Sequence, residues 1–278
     1  MSEKLKAFKS RLQALKKRYP AYEHFFDFYA QVILTRKGFE KTPQVKVPKI
    51  EKQVFDLKLK EGFPLLSPDE FSLDTNHAQE LFFRLCESLK GIPETKEKAE
   101  KIEAYFKDHP EDLPQAFKSF LEKKDFSPDG LDENVFNFLL FQSLKPSLHA
   151  CAEGLTPLLK NVYWDKGYCP ICGHYPYMAA LRENGKKFAK CSFCEYEWQI
   201  ERIFCPFCGH KDHKKLRYFE VEGEEGYRVY LCEACKCYLK TVDERVLADV
   251  VDLELEDIAT IHLDILAEKE GYKKKMEA

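Results

Sequence analysis

Residues 169–174 read Cys-Pro-Ile-Cys-Gly-His, and residues 205–210 read Cys-Pro-Phe-Cys-Gly-His. The same hexapeptide thus returns after 36 residues with one change. Each copy is followed by another pair, Cys191-Ser-Phe-Cys194 after 18 intervening residues and Cys232-Glu-Ala-Cys235 after 23. Paired cysteines at this spacing are the pattern of a four-thiolate metal site, here written twice. Two cysteines flanking two residues can aim both sulfurs at one ion, with Gly173 and Gly209 supplying the tight turn. A second pair, returning across a hairpin, completes the tetrahedron. The turn residues Glu183-Asn184-Gly185 and Gly223–Gly226 place those hairpins at 177–182/186–190 and 215–222/226–231. Trp198 and Leu239 then follow the second pairs at the same offset.

The candidate ligands are therefore Cys169, Cys172, Cys191 and Cys194 for one site, and Cys205, Cys208, Cys232 and Cys235 for the other. Likeness of the two copies favours pairing within each repeat, although the spacing also allows a cross-brace. Four sulfurs suit Zn²⁺ or a single iron, so the expected cofactors are two metal ions, iron or zinc. A site filled by protein has no open position for catalysis. Redox chemistry at one CxxC is the alternative, but four motifs in two matched copies favour ligation. Cys237 stands where the first repeat has Tyr196 and reads as a spare thiol, while Cys86 and Cys151 read as structural. His174, His210 and His213 lie beside the knuckles as supporting or surface residues.

The rest of the composition bounds the class. The chain has 278 residues and 11 cysteines, ten of them between 151 and 237, so complete disulfide pairing is impossible. The first 20 residues are charged throughout, unlike a secretory signal, and no apolar run reaches the roughly 18 residues that span a membrane. A cytoplasmic location with reduced thiols is expected. Between 161 and 240 there are 13 Lys and Arg against 11 Asp and Glu. Two divalent ions on eight thiolates would bring that stretch to −2, which argues against nucleic acid as a partner.

Residues 1–160 read as helices. Leu5, Phe8, Leu12, Leu15 and Tyr19 form an amphipathic stripe ended by Pro20. Further helices are expected over 22–37, stopped by Gly38, and over 75–90, 95–108, 113–124 and 132–152, with Pro146 kinking or ending the last. Residues 41–66, with Pro43, Pro48 and Pro64, read as extended. Ser67, Pro68 and Glu70 look like a capping box that restarts a helix. Aromatic stripes such as Phe138, Leu139, Leu140 and Phe141 read as core.

At this point the sequence resembles the FdhE-type formate dehydrogenase accessory proteins. The likeness lies in Gly167-Tyr-Cys169-Pro-Ile-Cys172-Gly173 with Pro176 and Leu181, and in Cys191 and Cys194 followed by Trp198, Arg202, Cys205 and Cys208. It continues through Cys232, Cys235 and Tyr238-Leu239-Lys240 to the closing helix at 257–272, with GFPLL at 62–66 a weaker match. His174, His262 and Cys237 depart from the pattern without touching the eight ligands.

The resemblance implies rubredoxin-like metal centres in a cytoplasmic, non-enzymatic maturation factor. Its client would be the molybdopterin-containing catalytic subunit of a formate dehydrogenase, with Trp198 and Arg202 near the contact. The expected architecture is α+β: an N-terminal multi-helix domain (1–160), then two tandem rubredoxin or zinc-ribbon-like four-cysteine metal modules and a C-terminal helix (161–278). Leu255, Ile258, Ile261, Ile265 and Leu266 would be that helix's apolar stripe. The rival functions are rubredoxin-like electron transfer, thiol chemistry at Cys237 and zinc-ribbon nucleic-acid binding. Neither nucleic-acid binding nor membrane insertion is expected.

Overall fold

The computed structural model describes residues 3–39, 41–247 and 251–275, with side chains from residue 6 onward. Two compact units emerge: Met1–Pro48 with Pro68–Gly154, and Lys49–Ser67 with Leu155–Ala278. The helices up to residue 159 are α1 (Glu3–Arg18), α2 (Glu23–Lys37), α3 (Lys52–Glu61), α4 (Thr75–Lys90), α5 (Pro93–Asp108), α6 (Asp112–Leu121) and α7 (Glu133–Leu159).

In the first unit the apolar stripes are core, as read. Phe8, Leu12 and Leu15 are buried; the side chain of Leu5 lies outside the described residues. The centre is Phe82 of α4, edge-on to Phe106 of α5 at 5.4 Å, Phe117 of α6 at 6.3 Å and Phe136 of α7 at 6.5 Å. Such edge-to-face contacts add to the area buried, itself about 1.5–3 kcal/mol per large side chain. Cys86 and Cys151 are fully buried there, and burial pushes both thiols up.

Three readings need correction. Residues 41–66 are not extended throughout, because α3 forms at 52–61 and is closed by Gly62 at φ 76°. Pro48 and Pro64 flank that helix, leaving the helix-forming stretch KQVFDLKLKE uninterrupted. The capping box at Ser67 yields only a single 3-10 turn, Pro68–Glu70. Helix α4 is instead capped by Asp74, whose carboxylate accepts the His77 amide at 3.0 Å. Helix α7 runs past Pro146 to Leu159. The lost bond costs about 3 kcal/mol, and burial of Ser143, Leu144, Ser147 and Leu148 around the proline holds the helix together.

The second unit is built on one six-stranded sheet: β1 (Pro176–Leu181), β2 (Lys187–Cys191), β3 (Glu197–Ile200), β4 (Leu216–Phe219), β5 (Tyr227–Cys232) and β6 (Tyr238–Asp243). Its order is β3-β2-β1-β6-β5-β4. Each repeat is an antiparallel three-stranded meander, and the two join through the parallel pair β1–β6, where Ala180 lies opposite Val242. Asn184 and Gly185 both take positive φ in the first turn, and Gly223 and Gly226 do so in the second. The mixed helical and sheet architecture is thus the α+β class expected.

One face of the sheet, with Met178, Ala180, Val229, Leu231 and Val242, packs on the C-terminal residues Leu253, Leu263 and Ala267. The expected closing helix is two, α8 (Leu253–Ala259) and α9 (Ile261–Lys269), because Thr260 leaves helical geometry at φ −107°, ψ 28°. The break rotates the stripe: Leu255 and Ile258 are buried, but Leu263 and Ala267 replace Ile265 and Leu266, which are exposed. Lys240 of β6, 1% exposed, pins both helices. Its ammonium donates to the carbonyl of Asp257 at 2.6 Å and to the carboxylate of Asp264 at 2.6 Å. Although burial opposes it, Lys240 and Lys274 hold the Asp257 carboxyl below its ordinary value.

Removing one side of this buried network strands the other. Lys240→Met is expected to cost about 3–5 kcal/mol in urea unfolding monitored at the second unit. Because the Asp257 value is lowered on folding, its stabilisation is complete above the unfolded value. It is lost as pH falls through the folded one, below 3.8. In the first unit, Phe82→Ala should cost about 3–5 kcal/mol by the same measurement.

Candidate metal centres

All four CxxC segments adopt one backbone form. The amide of the first cysteine donates to the carbonyl five residues on: Cys169 to His174, Cys191 to Tyr196, Cys205 to His210 and Cys232 to Cys237, at 2.9–3.0 Å. The residue after the second cysteine has positive φ in every case: Gly173, Glu195, Gly209 and Lys236. Glycine meets that demand without strain, whereas Glu195 and Lys236 meet it against their own preference. Cys237 therefore stands at the position of Tyr196, as the repeat predicted.

These turns gather the sulfurs into two groups, Cys169/Cys172/Cys191/Cys194 and Cys205/Cys208/Cys232/Cys235, each within 4.8 Å. The grouping is sequential, one per repeat. Sulfur separations are 3.3 Å for Cys172–Cys191, 3.5 Å for Cys172–Cys194, 3.7 Å for Cys169–Cys194, 3.6 Å for Cys205–Cys235 and 3.7 Å for Cys208–Cys232. A tetrahedral ion with bonds of about 2.3 Å has sulfur–sulfur edges of about 3.8 Å. Both groups therefore fit a tetrahedral ion of thiolate preference, and each can hold one. The three histidines are not in either group. His174 stacks on Phe193 at 4.4 Å beside the first, and His213 is exposed. Trp198, 4% exposed, braces β3 instead of facing solvent, while Arg202 is exposed.

Each group has one thiol set low. Against the effect of burial, the Cys169, Cys172 and Cys194 thiols hold Cys191 well below its ordinary value. Cys232 is lowered against burial by the amides of Cys235 and Ala234. The remaining sulfurs are pushed up, mainly by burial. The head of each second pair is thus the thiol of its group that gives up its proton most readily to an incoming cation.

The two groups differ in cover. All four sulfur residues of the first are buried, but in the second Cys208 is exposed and Cys235 half-buried. The cause is the segment Gly62-Phe-Pro-Leu-Leu66. The amides of Leu65 and Leu66 donate to the carbonyls of Pro170 and Ile171 inside the first knuckle, at 2.9 and 2.8 Å. Tyr168 donates to the Gly62 carbonyl at 2.5 Å, and Pro64 lies over Gly173. Nothing among the described residues lies within 4 Å of the matching Cβ position at Gly209. In the sequence this segment is marked only as the end of an extended stretch with Pro64 and as the weaker match GFPLL; neither points to the knuckle it covers.

Gly167 fixes the approach to the second knuckle, because a Cβ there would enter the backbone of Pro206. Beside that knuckle, a cavity of about 20 Å³ is lined by Lys187, Arg202, Arg217, Tyr230, Cys205, Cys232 and Cys237. Lys187 is 1% exposed, and its ammonium sits 3.5 Å from the centre of the Tyr230 ring. Burial pushes its amine down to about 7, opposed by the Cys205 sulfur. A chromophoric chelator should strip metal from the zinc-loaded protein in two phases, the fast one from the open second group. Gly167→Ala should speed the fast phase at least about tenfold; a single phase would contradict the difference in cover.

Comparison with known proteins agrees with this geometry. The FdhE central domain matches residues 168–202 and the FdhE C-terminal domain matches 203–277. A protein named FdhE homolog from Aquifex aeolicus is 26% identical over 271 residues, 95% of this chain and 91% of that one. A second, from Stutzerimonas stutzeri, is 34% identical over 116 residues, 40% of this chain and 37% of its own. The crystal structure of the FdhE protein from Pseudomonas aeruginosa shares the fold, with a TM-score of 0.60 at 19% identity over 95% of this chain and 91% of that one. Residues 168–277 thus match two adjoining FdhE domains, and the chain is similar to FdhE-type proteins nearly end to end.

Proposed function

We propose that this chain is a cytoplasmic accessory factor that binds the molybdopterin-containing catalytic subunit of a formate dehydrogenase and is needed for its maturation. It carries one iron or zinc ion on Cys169, Cys172, Cys191 and Cys194, and one on Cys205, Cys208, Cys232 and Cys235. The observation that carries the reading is the pair of complete four-sulfur groups in a chain similar to FdhE-type proteins. Four protein sulfurs fill a tetrahedron, so neither ion offers a position for a substrate, and the role is assembly instead of catalysis. Among the described residues no helix is long and apolar enough to cross a membrane.

In this reading residues 161–278, with the 49–67 segment against them, form the metal-bearing part, and the rest of 1–160 the helical domain. The client meets the open side of the second centre, where Arg202, Ile203 and Tyr163 are exposed. Aromatic, apolar and arginine side chains together are the usual anchors of a protein interface. Exposure of Cys208 also supports a second reading, rubredoxin-like electron transfer through iron.

Deletion of the gene should abolish formate dehydrogenase activity in the host. The wild-type chain should restore it, the Cys205→Ser/Cys232→Ser variant should not, and the catalytic subunit should co-purify with a tagged chain. Full activity in the deletion strain would refute the proposal. A colourless, zinc-loaded chain with full complementing activity would remove the electron-transfer reading.

A further inference from the structure

We propose that Lys187 is the charge partner of the second metal centre, lent to it by the first repeat. The inference rests on the reading of the cysteine groups as metal centres, and it begins with a buried cation that lacks an anion. Lys187 belongs to β2, yet it points across the sheet face opposite the C-terminal helices, to Tyr230 on β5. Among the described residues its ammonium meets the Tyr230 ring and no carboxylate. A ring face alone does not replace the hydration of an ammonium at 1% exposure.

The surroundings leave one source of negative charge. The cavity it lines, about 20 Å³, has room for about one water and none for an organic anion. Arg202 and Arg217 line the same cavity, but Arg202 is exposed and Arg217 is already tied to Glu233. The remaining polar lining is sulfur, from Cys205, Cys232 and Cys237. A divalent ion on four thiolates is a dianion, and Cys205 and Cys232 are two of those four. The ammonium offsets half of that charge on the inner side of the centre, where Cys205 and Cys232 are buried.

The consequence is a one-way dependence: the second centre's hold on its metal needs a residue from the first repeat. The test uses full-length chain loaded with Zn²⁺, followed by release to a chromophoric chelator. The Cys208→Ser/Cys235→Ser background identifies the phase that belongs to the first centre. Lys187→Met, which keeps the length and removes the charge, is expected to speed release from the second centre about tenfold and leave the first unchanged. Lys187→Arg should restore the wild-type rate. Equal release from wild type and Lys187→Met would overturn the proposal, as would acceleration of both phases alike or failure of arginine to rescue. Wild-type chain that binds two zinc ions but shows any of those outcomes refutes the role of Lys187 alone. Wild-type chain that binds none refutes the metal centres themselves.

Discussion

Everything in the second unit depends on bringing four sulfurs to within a tetrahedron's edge of one another. Thiolates at 3.3–3.7 Å repel, and thiols there make only weak hydrogen bonds, so the arrangement is favourable chiefly around a cation. The strands answer to that demand. β1 and β2, or β4 and β5, are the arms that carry one knuckle back to the other. β3 and β6 are the continuations that lock the second knuckle into the sheet. Meanders this short bury little by themselves, and binding energy of an ion becomes folding energy.

Cover then separates two centres of equal design. The first is sealed by an upstream segment hydrogen-bonded to its own knuckle carbonyls, and the second leaves one cysteine in solvent. A closed site suits a permanent structural ion, and an open one suits contact with another molecule. The structural repeat therefore does not imply a functional repeat.

What the sequence made legible follows from how local each determinant is. A CxxC knuckle, a Gly-containing turn and a 3.6-residue stripe are written in consecutive residues, which is why the two cysteine groups, both hairpins and the core helices could be read directly. The docking of Leu65 and Leu66 onto Pro170 and Ile171 spans over a hundred residues and is made by backbone, which leaves almost no mark on side-chain choice. Thr260 breaks the C-terminal helix through backbone angles that threonine does not require, so the stripe through Ile265 and Leu266 looked continuous. Lys187 was hidden for another reason. In a strand of alternating character it passes for an ordinary outward lysine until the opposing face is known.

The parallel joint between β1 and β6 has a geometric consequence. It places the two meanders head to tail, third-second-first followed by third-second-first, so the repeats are related as by a step along the sheet, not as mirror halves. The surfaces that meet at the joint differ from each other, and the outer edges, β3 and β4, are the same two kinds of edge left unmated. An assembly of this sort does not close on itself. Its growth is limited by the shortness of those outer strands, four residues each, which give an incoming strand little to pair with.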